Sequence, residues 1–318
     1  MIREIRKFVC LTFQTAMTKR LIFLVLSFIA SGCTAASILG DSALNHRSSS
    51  GNEITIMTYN IKMLPRGATF LHHHPVKRAK LIPAKLVDEN PDVIVFQEAF
   101  DGKAIRTLKR KLKSAYPYIA GQDNRKLVTY KRSGGVLMFS KYPLKELESI
   151  RYSECKGIDC AGNKGAMLVE VEDPAMKFQL FGTHMQAGGS KEIKLSQYQE
   201  AGALLERHQQ KGVPQFIAGD FNTHKDDTAL YPELVKALKA EDGALDNEEQ
   251  ALTEFTQNDL RGGKPNRKKK GVIDYIFVKE NGVKILWQQR YAREFKQRWS
   301  DTHEALSDHF AVILKVKL

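Results

Sequence analysis

The chain has 318 residues, of which 42 % are hydrophobic, and its formal net charge is +13. This length suggests one large domain or two small ones, and this apolar content allows a sizeable core without disulfides or structural metals. We find no internal repeat, which excludes a repeat array. The positive charge favours anionic partners, either nucleic acid or a phospholipid surface.

The first 33 residues have the composition of a secretory signal peptide. Lys19 and Arg20 precede an apolar run at 21–30, which is followed by small residues. The run is too short to span a membrane. Cys33 comes next and resembles the lipid-carrying cysteine of a bacterial lipobox, although an ordinary signal peptide with an incidental cysteine has the same pattern. We therefore expect an exported protein, either secreted or held by Cys33 at an outer or cell-surface membrane.

Residues 34–52 include a Ser-Ser-Ser-Gly run, which predicts a flexible tether. No linker interrupts residues 53–318, so we expect a single catalytic domain there. The first 32 residues carry five basic side chains and one acidic side chain, and the rest of the chain therefore keeps a net charge of +9. Its basic segment 264–270 (KPNRKKK) is predicted to be an exposed loop.

Eight apolar runs with β-branched or aromatic content predict strands at 54–64, 92–100, 135–144, 166–172, 177–186, 214–222, 272–279 and 310–318. Helices are predicted at 76–90, 103–115, 191–210 and 229–240. Pro83 is expected to kink the first helix or to shift its start. Strands that alternate with helices, together with hairpin-like pairs, indicate a mixed α/β sandwich.

Cys155 and Cys160 are the two cysteines outside the leader. An exported protein meets oxidising conditions, so a small local disulfide between them is plausible. A metal-binding pair is the alternative, but no further cysteine or suitably spaced histidine lies nearby.

Six of the apolar runs carry polar residues at or near one end: Asn60, Glu98, His184, Asp220 with Asn222, Asp274, and Asp308 with His309. Burial of one such group without a partner costs several kcal/mol, roughly. Any single one is explained by a turn or a helix cap. Because all six runs share the feature, we expect these side chains to converge, where they bind one another or hold a metal ion.

The residue types at these ends predict a particular chemistry. Carboxylate and amide oxygens suit a hard cation such as Mg²⁺. Two histidines on separate strands, one of them beside an aspartate, provide a general base and a hydrogen-bond donor. This set suits hydrolysis of a phosphate ester, in which a metal polarises the phosphoryl oxygen and a base activates water.

The segments MTYNIKML, VIVFQEAF, GTHMQA, AGDFNT, IDYIFV and LSDHFAV resemble the successive motifs of the endonuclease/exonuclease/phosphatase superfamily. The resemblance covers residues 53–318. It implies an α/β fold of four layers, with two central mixed β-sheets flanked by helices and the active site at one rim.

The resemblance implies which residues bind the metal and which residue is the general base. Glu98 would be the principal Mg²⁺ ligand, with Asn60 beside it. His309 would be the general base, and Asp308 would orient it or lie next to the metal. Other divalent cations would suit the same oxygen ligands.

The resemblance also implies which residues handle the substrate. Asp220 and Asn222 would position the attacking water and a phosphate oxygen, and Gly219 would let the backbone approach closely. His184 would donate to the phosphoryl group in the transition state. Asp274 would support His184 from behind.

Two segments narrow the resemblance to bacterial neutral sphingomyelinases: GTHMQA, which contains Gln186, and GNKGAM, which contains Lys164. These phospholipase C-type enzymes cleave sphingomyelin to ceramide and phosphocholine. The resemblance implies that Gln186 and Lys164 contact the substrate, and that the protein acts as a monomer on a phospholipid surface. A surface-turn lysine is the alternative explanation of Lys164.

Three other functions are compatible with the sequence. An exported Mg²⁺-dependent nuclease would use the same core, and the net charge and the segment 264–270 would suit DNA. A phosphoinositide phosphatase would share the core as well. A non-catalytic membrane-binding lipoprotein would not need all six polar strand ends, which argues against it.

Overall fold

The computed structural model describes residues 53–65, 73–121, 135–246, 254–255, 259–261 and 270–318. The predictions for the signal peptide, for Cys33 and for the tether lie outside these residues, as does nearly all of the basic segment 264–270. Residues Ser50–Leu318 form one compact unit. No helix in the described part of the chain is long and apolar enough to cross a membrane.

Within the described residues, the strands in chain order are β1 (Glu53–Met63), β2 (Val93–Ala99), β3 (Tyr118–Ala120), β4 (Leu137–Ser140), β5 (Leu144–Arg151), β6 (Gly165–Glu172), β7 (Lys177–His184), β8 (Gln215–Asp220), β9 (Glu254–Phe255), β10 (Lys270–Gly271), β11 (Asp274–Lys279), β12 (Trp287–Arg293) and β13 (Ala311–Lys317). One sheet has the order β12-β13-β1-β2-β4-β3, and a second has the order β11-β8-β7-β6-β5. The strands β9 and β10 pair with each other.

The helices are α1 (Pro75–Glu89), α2 (Gly102–Leu112), α3 (Asp159–Gly162), α4 (Lys191–Arg207) and α5 (Tyr231–Leu238), and a 3₁₀ turn lies at Asp259–Arg261. The prediction for Pro83 was wrong about the start, because α1 continues through Pro83 from Pro75. Pro83 is buried in the apolar face of α1. The lost N–H bond is therefore tolerated inside a packed helix.

Three apolar clusters hold the layers together. Between the two sheets, alternate residues such as Val95 of β2 and Leu180 of β7 form the central core. The opposite face of the first sheet packs on α1 and α2 through residues such as Phe96 and Leu86. The opposite face of the second sheet packs on α4 and α5. The predicted four-layer sandwich with two central mixed sheets is thus confirmed.

The sequence did not predict β3, β5 or β12. Each of these strands lies at an edge of its sheet. An edge strand is half solvated and is often polar, so it lacks the apolar run that marks a central strand. β5 (LKELESIR) and β12 (WQQRYAR) both have this composition.

The strand directions bring the polar strand ends to one rim. β7 and β8 are parallel and β8 and β11 are antiparallel, with His184 opposite Asp220 and Asp220 opposite Asp274. In the other sheet β1 and β2 are parallel and end at this rim, and β13 runs antiparallel to β1. The carboxyl ends of β1 and β2 therefore lie beside the residues that precede β13.

Candidate active site

A cavity of about 550 Å³ opens at this rim. Seven residues predicted from the sequence line it, namely Glu98, Lys164, His184, Asp220, Asn222, Asp308 and His309. Asn60 and Asp274 lie behind this lining and contact its residues. The expected convergence of the polar strand ends is therefore observed.

His309 and Asp274 form a buried pair at the base of the cavity. The Nδ1 atom of His309 lies 2.8 Å from Oδ2 of Asp274, and both side chains are almost fully buried. Burial by itself would lower the pKa of His309, but the charges of Asp274 and Asp220 outweigh it and raise this pKa. The Asp274 bond fixes the ring, so that Nε2 faces the cavity side, 4.0 Å from Oδ2 of Asp220.

Two of the predicted partnerships differ from the structure. Asp274 was expected to support His184, but its carboxylate binds His309. Asp308 was expected to orient His309 or to lie next to the metal; its carboxylate forms an ion pair with Lys62 instead of binding His309, and its place next to a metal stays a prediction. Strand order explains the first difference, because β8 separates β7 from β11. Asp274 is thus the residue that orients His309.

Asp220 lies at the centre of the site. Its Oδ2 atom accepts a hydrogen bond of 2.9 Å from the amide nitrogen of Asn60 and lies 3.6 Å from Nε2 of His184. Burial, and then the charge of Asp274, raises the pKa of Asp220 above its ordinary value. A carboxylate in this position can hold a water molecule between His184 and His309.

Asn60 joins the two sides of the site. Its amide nitrogen also donates to Oε1 of Glu98 at 3.2 Å, and its oxygen accepts from the backbone N–H of Lys62 at 3.1 Å. The nitrogen, not the oxygen, therefore faces both carboxylates. Asn60 thus holds Glu98 and Asp220 together through its nitrogen, and its role beside Glu98 in binding a cation stays a prediction.

Three residues that line the cavity have a strained backbone conformation. Lys62, Glu98 and Asn222 have φ angles of 46°, 55° and 50°, in the left-handed region that non-glycine residues rarely adopt. Gly135 packs against the backbone of Glu98, where an added Cβ atom would lie 2.9 Å from Cα of Glu98. A strained backbone persists only where surrounding contacts fix it, and such sites are often functional.

Lys164 lies inside the site and not at a surface turn. Its Nζ atom donates to the carbonyl oxygen of Met185 at 2.7 Å and lies 2.9 Å from Nε2 of His184. It also forms an ion pair of 3.1 Å with Asp159. Because lysine only donates, Nε2 of His184 is the acceptor, which assigns the ring proton of His184 to Nδ1.

Asn222 is held by three different elements. Its backbone N–H donates to Asp220, and its amide nitrogen donates to the Met185 carbonyl, both at 2.9 Å. Its carbonyl oxygen accepts from Nζ of Lys194, which extends from α4 and is nearly buried. Burial lowers the pKa of Lys194, and nearby Asp220 partly opposes this shift.

We expect Lys194→Met to lower kcat/KM about tenfold, because a small displacement of a substrate-positioning residue such as Asn222 is enough for a loss of this size. Lys191→Met, at an exposed position of the same helix, is the matched control and should leave kcat/KM unchanged. Equal values for both variants would show that the Lys194 bond does not position Asn222 for the reaction.

Gln186 does not contact the cavity, although the resemblance implied a substrate contact. It is buried and binds the backbone of Lys156 through its side-chain oxygen at 3.2 Å and its nitrogen at 3.0 Å. Its own N–H donates to the side chain of Gln197. Gln186 thus joins the end of β7 to the loop that Cys155 and Cys160 close by a disulfide.

Gly219 permits close packing of β8 against the neighbouring strand β7, whereas the resemblance implied a close approach of its backbone to the substrate. An added Cβ atom would lie 2.3 Å from the carbonyl oxygen of Thr183 in β7. Any larger residue would separate β8 from β7 and would pull Asp220 away from His184. The glycine therefore sets the distance between two site residues.

The cavity is lined by several groups that could bind a cation. Five carboxylates (Glu98, Asp159, Asp220, Asp227 and Asp308) line it, against three lysines (Lys62, Lys164 and Lys194). A cation bound among these carboxylates would offset their repulsion of a phosphate anion. Glu98 is partly exposed to the cavity and offers the oxygen ligand that Mg²⁺ prefers.

A second set of ligand atoms also has metal-like spacing. Asp220, Asp274 and His309 each place one atom within 4.8 Å of the others. In this structure Asp274 and His309 are already bonded to each other, and this bond fixes the histidine ring. We therefore favour Glu98 as the cation ligand.

We expect Asp274→Asn to lower kcat by about 10²–10⁴-fold, because an amide that faces Nδ1 favours the wrong tautomer of the histidine. Asp242→Asn is the matched control: Asp242 is also nearly buried, and it binds Tyr231 and Lys225 outside the cavity. Measurement of the steady-state kcat of the two variants shows whether Asp274 acts by fixing the tautomer of His309. A loss of the same size in both would mean that general destabilisation, not the dyad, is responsible.

The sequence analysis missed Lys62, Asp159, Lys194 and Asp227, which all line the cavity. Lys62 comes two residues after Asn60, so its position at a strand end was a usable signal. Lys194 is on α4, and the apolar pattern of this helix did not indicate that one of its lysines faces the cavity.

Comparison with known proteins gives concordant matches. A sequence model of the Endonuclease/Exonuclease/phosphatase family matches residues 57–309. A phospholipase C of Staphylococcus aureus is 27 % identical over 76 % of this chain and 78 % of that protein. Sphingomyelinase C 2 of Leptospira interrogans is 29 % identical over 82 % of this chain and 45 % of that protein. The crystal structure of SmcL aligns with 25 % identity and a TM-score of 0.73, over 83 % of this chain and 99 % of that chain.

Proposed function

The chain belongs to the endonuclease/exonuclease/phosphatase family, and on this basis we propose that it is a divalent-cation-dependent phosphodiesterase that hydrolyses sphingomyelin, or a related phospholipid, to ceramide and phosphocholine. The family and the relatives named phospholipase C and sphingomyelinase C indicate a phosphoric diester hydrolase. The finer assignment to sphingomyelin follows the names of those relatives.

The observation that carries the proposal is the buried His309–Asp274 pair at the base of a cavity lined by acids and lysines. In its neutral form, a histidine whose Nδ1 is held by a carboxylate presents Nε2 as a proton acceptor. The neighbouring carboxylates raise the pKa of His309, and a cation bound beside them would oppose this shift and make the neutral form available. A water molecule between Asp220 and His309 would lose its proton to Nε2 as its oxygen attacks phosphorus. The bond between phosphorus and the ceramide oxygen would break in the same displacement, and that oxygen would leave with a proton taken from solvent, so that ceramide and phosphocholine are the products.

The remaining residues bind and orient the phosphate. Lys164 and Lys194 supply positive charge, and His184 lies beside Asp220 on the opposite side of the attacking water. Asn222 is fixed at the cavity wall by three hydrogen bonds. Donors that are already held in place stabilise charge in the transition state without reorganisation.

Glu98 would hold the cation, with Asp308 nearby on the same wall. When bound, Mg²⁺ or another divalent cation would polarise a phosphoryl oxygen and offset the negative charge of the cavity. Asn60 keeps Glu98 and Asp220 in place through its amide nitrogen.

The test compares a lipid and a nucleic acid as substrates. The full chain is incubated with sphingomyelin liposomes and, separately, with plasmid DNA, each with Mg²⁺ and with EDTA. We expect phosphocholine release that requires Mg²⁺, and no strand nicking. Nicking without phosphocholine release would replace this proposal with the nuclease, and release that is unchanged by EDTA would contradict the role of the cation.

The setting of the activity is part of the proposal. We propose that the protein is exported, that it works as a monomer on a phospholipid surface, and that Cys33 is its lipid anchor when it is not secreted. The net charge of +9 outside the first 32 residues supports attraction to anionic membranes. Metabolic labelling with a fatty acid, with Cys33→Ser as the control, tests the anchor.

A further inference from the structure

Arg78, on the first turns of α1, is the largest fully buried side chain among the described residues. All its hydrogen-bond acceptors in the structure are backbone carbonyl oxygens. Nε donates to His73 at 2.7 Å, Nη1 donates to Ile61 at 2.7 Å and to Leu306 at 2.8 Å, and Nη2 donates to Lys62 at 2.5 Å. A buried arginine that binds four carbonyls and no carboxylate is unusual, because arginine is rarely buried without an ionic partner.

Three of the four carbonyls belong to the segments that carry the site, and the fourth, that of His73, lies just before α1. Ile61 and Lys62 follow Asn60 at the end of β1, and Leu306 precedes Asp308 and His309. Ser307 adds a further link, because its hydroxyl group donates to the carbonyl oxygen of Asn60 at 2.5 Å. The guanidinium group thus joins the Asn60 side of the cavity to the His309 side.

Only arginine can make this set of contacts. Its planar fork has five donors in fixed directions, whereas lysine has three donors on one atom. Burial lowers the pKa of Arg78 to about 10, and the nearby groups Tyr59, Asp308 and Glu98 partly oppose this shift. The guanidinium group therefore keeps its charge at neutral pH. A buried positive charge also lies close to the acidic wall of the cavity.

We propose that Arg78 is a positioning residue: it fixes the end of β1 against the segment 306–309 and thereby sets the distance between the cation-binding side and the His309 base. This inference rests on the proposed function for its catalytic consequence. Its structural content, the link between two segments, does not depend on which substrate is cleaved.

The test compares Arg78→Lys with Arg290→Lys. Arg290 is also nearly buried and donates to a backbone carbonyl, that of Ile276, but it lies outside the cavity lining. We expect Arg78→Lys to lower kcat at least about tenfold with KM within about threefold, because misplacement by about 1 Å costs up to about 10²-fold. Arg290→Lys should change neither constant beyond twofold.

Hydrogen exchange gives a second readout that needs no substrate. In Arg78→Lys, peptides that cover 59–64 and 305–310 should exchange faster, whereas peptides that cover β6 should be unchanged. Unchanged kcat per folded molecule, or an exchange increase spread over the whole domain, would overturn the proposal. A wild-type protein without activity on sphingomyelin would contradict the proposed function, and the exchange pattern would still decide the role of Arg78.

The wild-type protein offers a measurement in case Arg78→Lys does not fold. Arginine side-chain NMR should show Nη protons of Arg78 that exchange far more slowly than those of exposed arginines such as Arg151. Exchange as fast as that of the exposed groups would show that the four carbonyl bonds do not hold the guanidinium, and the proposal would fail.

Discussion

Replacement of His309 by alanine is expected to lower kcat by about 10²–10⁴-fold, the range for loss of a general base. The structure provides the reason, because His309 is the histidine that Asp274 orients and whose Nε2 is directed toward Asp220. Phosphocholine release under saturating Mg²⁺ measures the effect. Alanine also leaves the buried Asp274 carboxylate without its partner, so His309→Gln should accompany it to preserve a hydrogen bond.

His208→Ala is the matched control for this experiment. His208 also contacts a carboxylate, that of Glu148 at 2.8 Å, but this pair lies away from the cavity. The variant His208→Ala should retain full kcat. If His309→Ala keeps near-normal kcat, another group removes the proton from water and the role assigned to His309 is wrong.

The second large effect is expected for Glu98→Gln. The amide keeps the size of the side chain and removes its charge, so the Mg²⁺ concentration that gives half-maximal activity should rise about 10–100-fold, with recovery of kcat at high Mg²⁺. A titration of activity against Mg²⁺ measures this directly. Isothermal calorimetry with Mg²⁺ alone should show the same loss of affinity without any substrate.

Glu146→Gln is the control, because Glu146 is a carboxylate of β5 outside the cavity lining. It should leave the Mg²⁺ titration unchanged. If Glu98→Gln also leaves it unchanged, the cation lies elsewhere, and the cluster of Asp220, Asp274 and His309 becomes the site to test.

The polar ends of central strands could be predicted from sequence because each of them interrupts an apolar run. The partners of these polar residues could not be predicted in the same way. Asp274 was assigned to His184, yet the register places Asp220 between them, on the strand that separates β7 from β11. The order of strands in a sheet is set by long-range pairing, which the apolar pattern of a single strand does not contain.

Adjacent residues in the sequence likewise need not share a partner. Asp308 precedes His309 directly, but it lies at a bend before β13, so adjacency in sequence does not give the two side chains a common partner. Asp308 binds Lys62, while His309 binds Asp274. Gln186 follows His184 by two residues, but its side chain binds the backbone of Lys156 in the disulfide-closed loop and does not reach the cavity.

Arg78 shows a different limit of sequence analysis. Nothing in the helical pattern of 76–90 distinguishes this arginine from the exposed lysines around it. Its four acceptors are backbone carbonyls from three separate segments, and carbonyls carry no residue-specific signal. Such a contact becomes visible only when the layers are assembled.

The most direct test of the account is hydrolysis of sphingomyelin by the full chain in H₂¹⁸O with Mg²⁺, with mass spectrometry of both products. Attack of water on phosphorus predicts one ¹⁸O atom in phosphocholine and none in ceramide. We expect no product in EDTA, and product formation that is about 10²–10⁴-fold slower with His309→Ala. Label in ceramide, or phosphocholine without label, would contradict attack of an activated water on phosphorus.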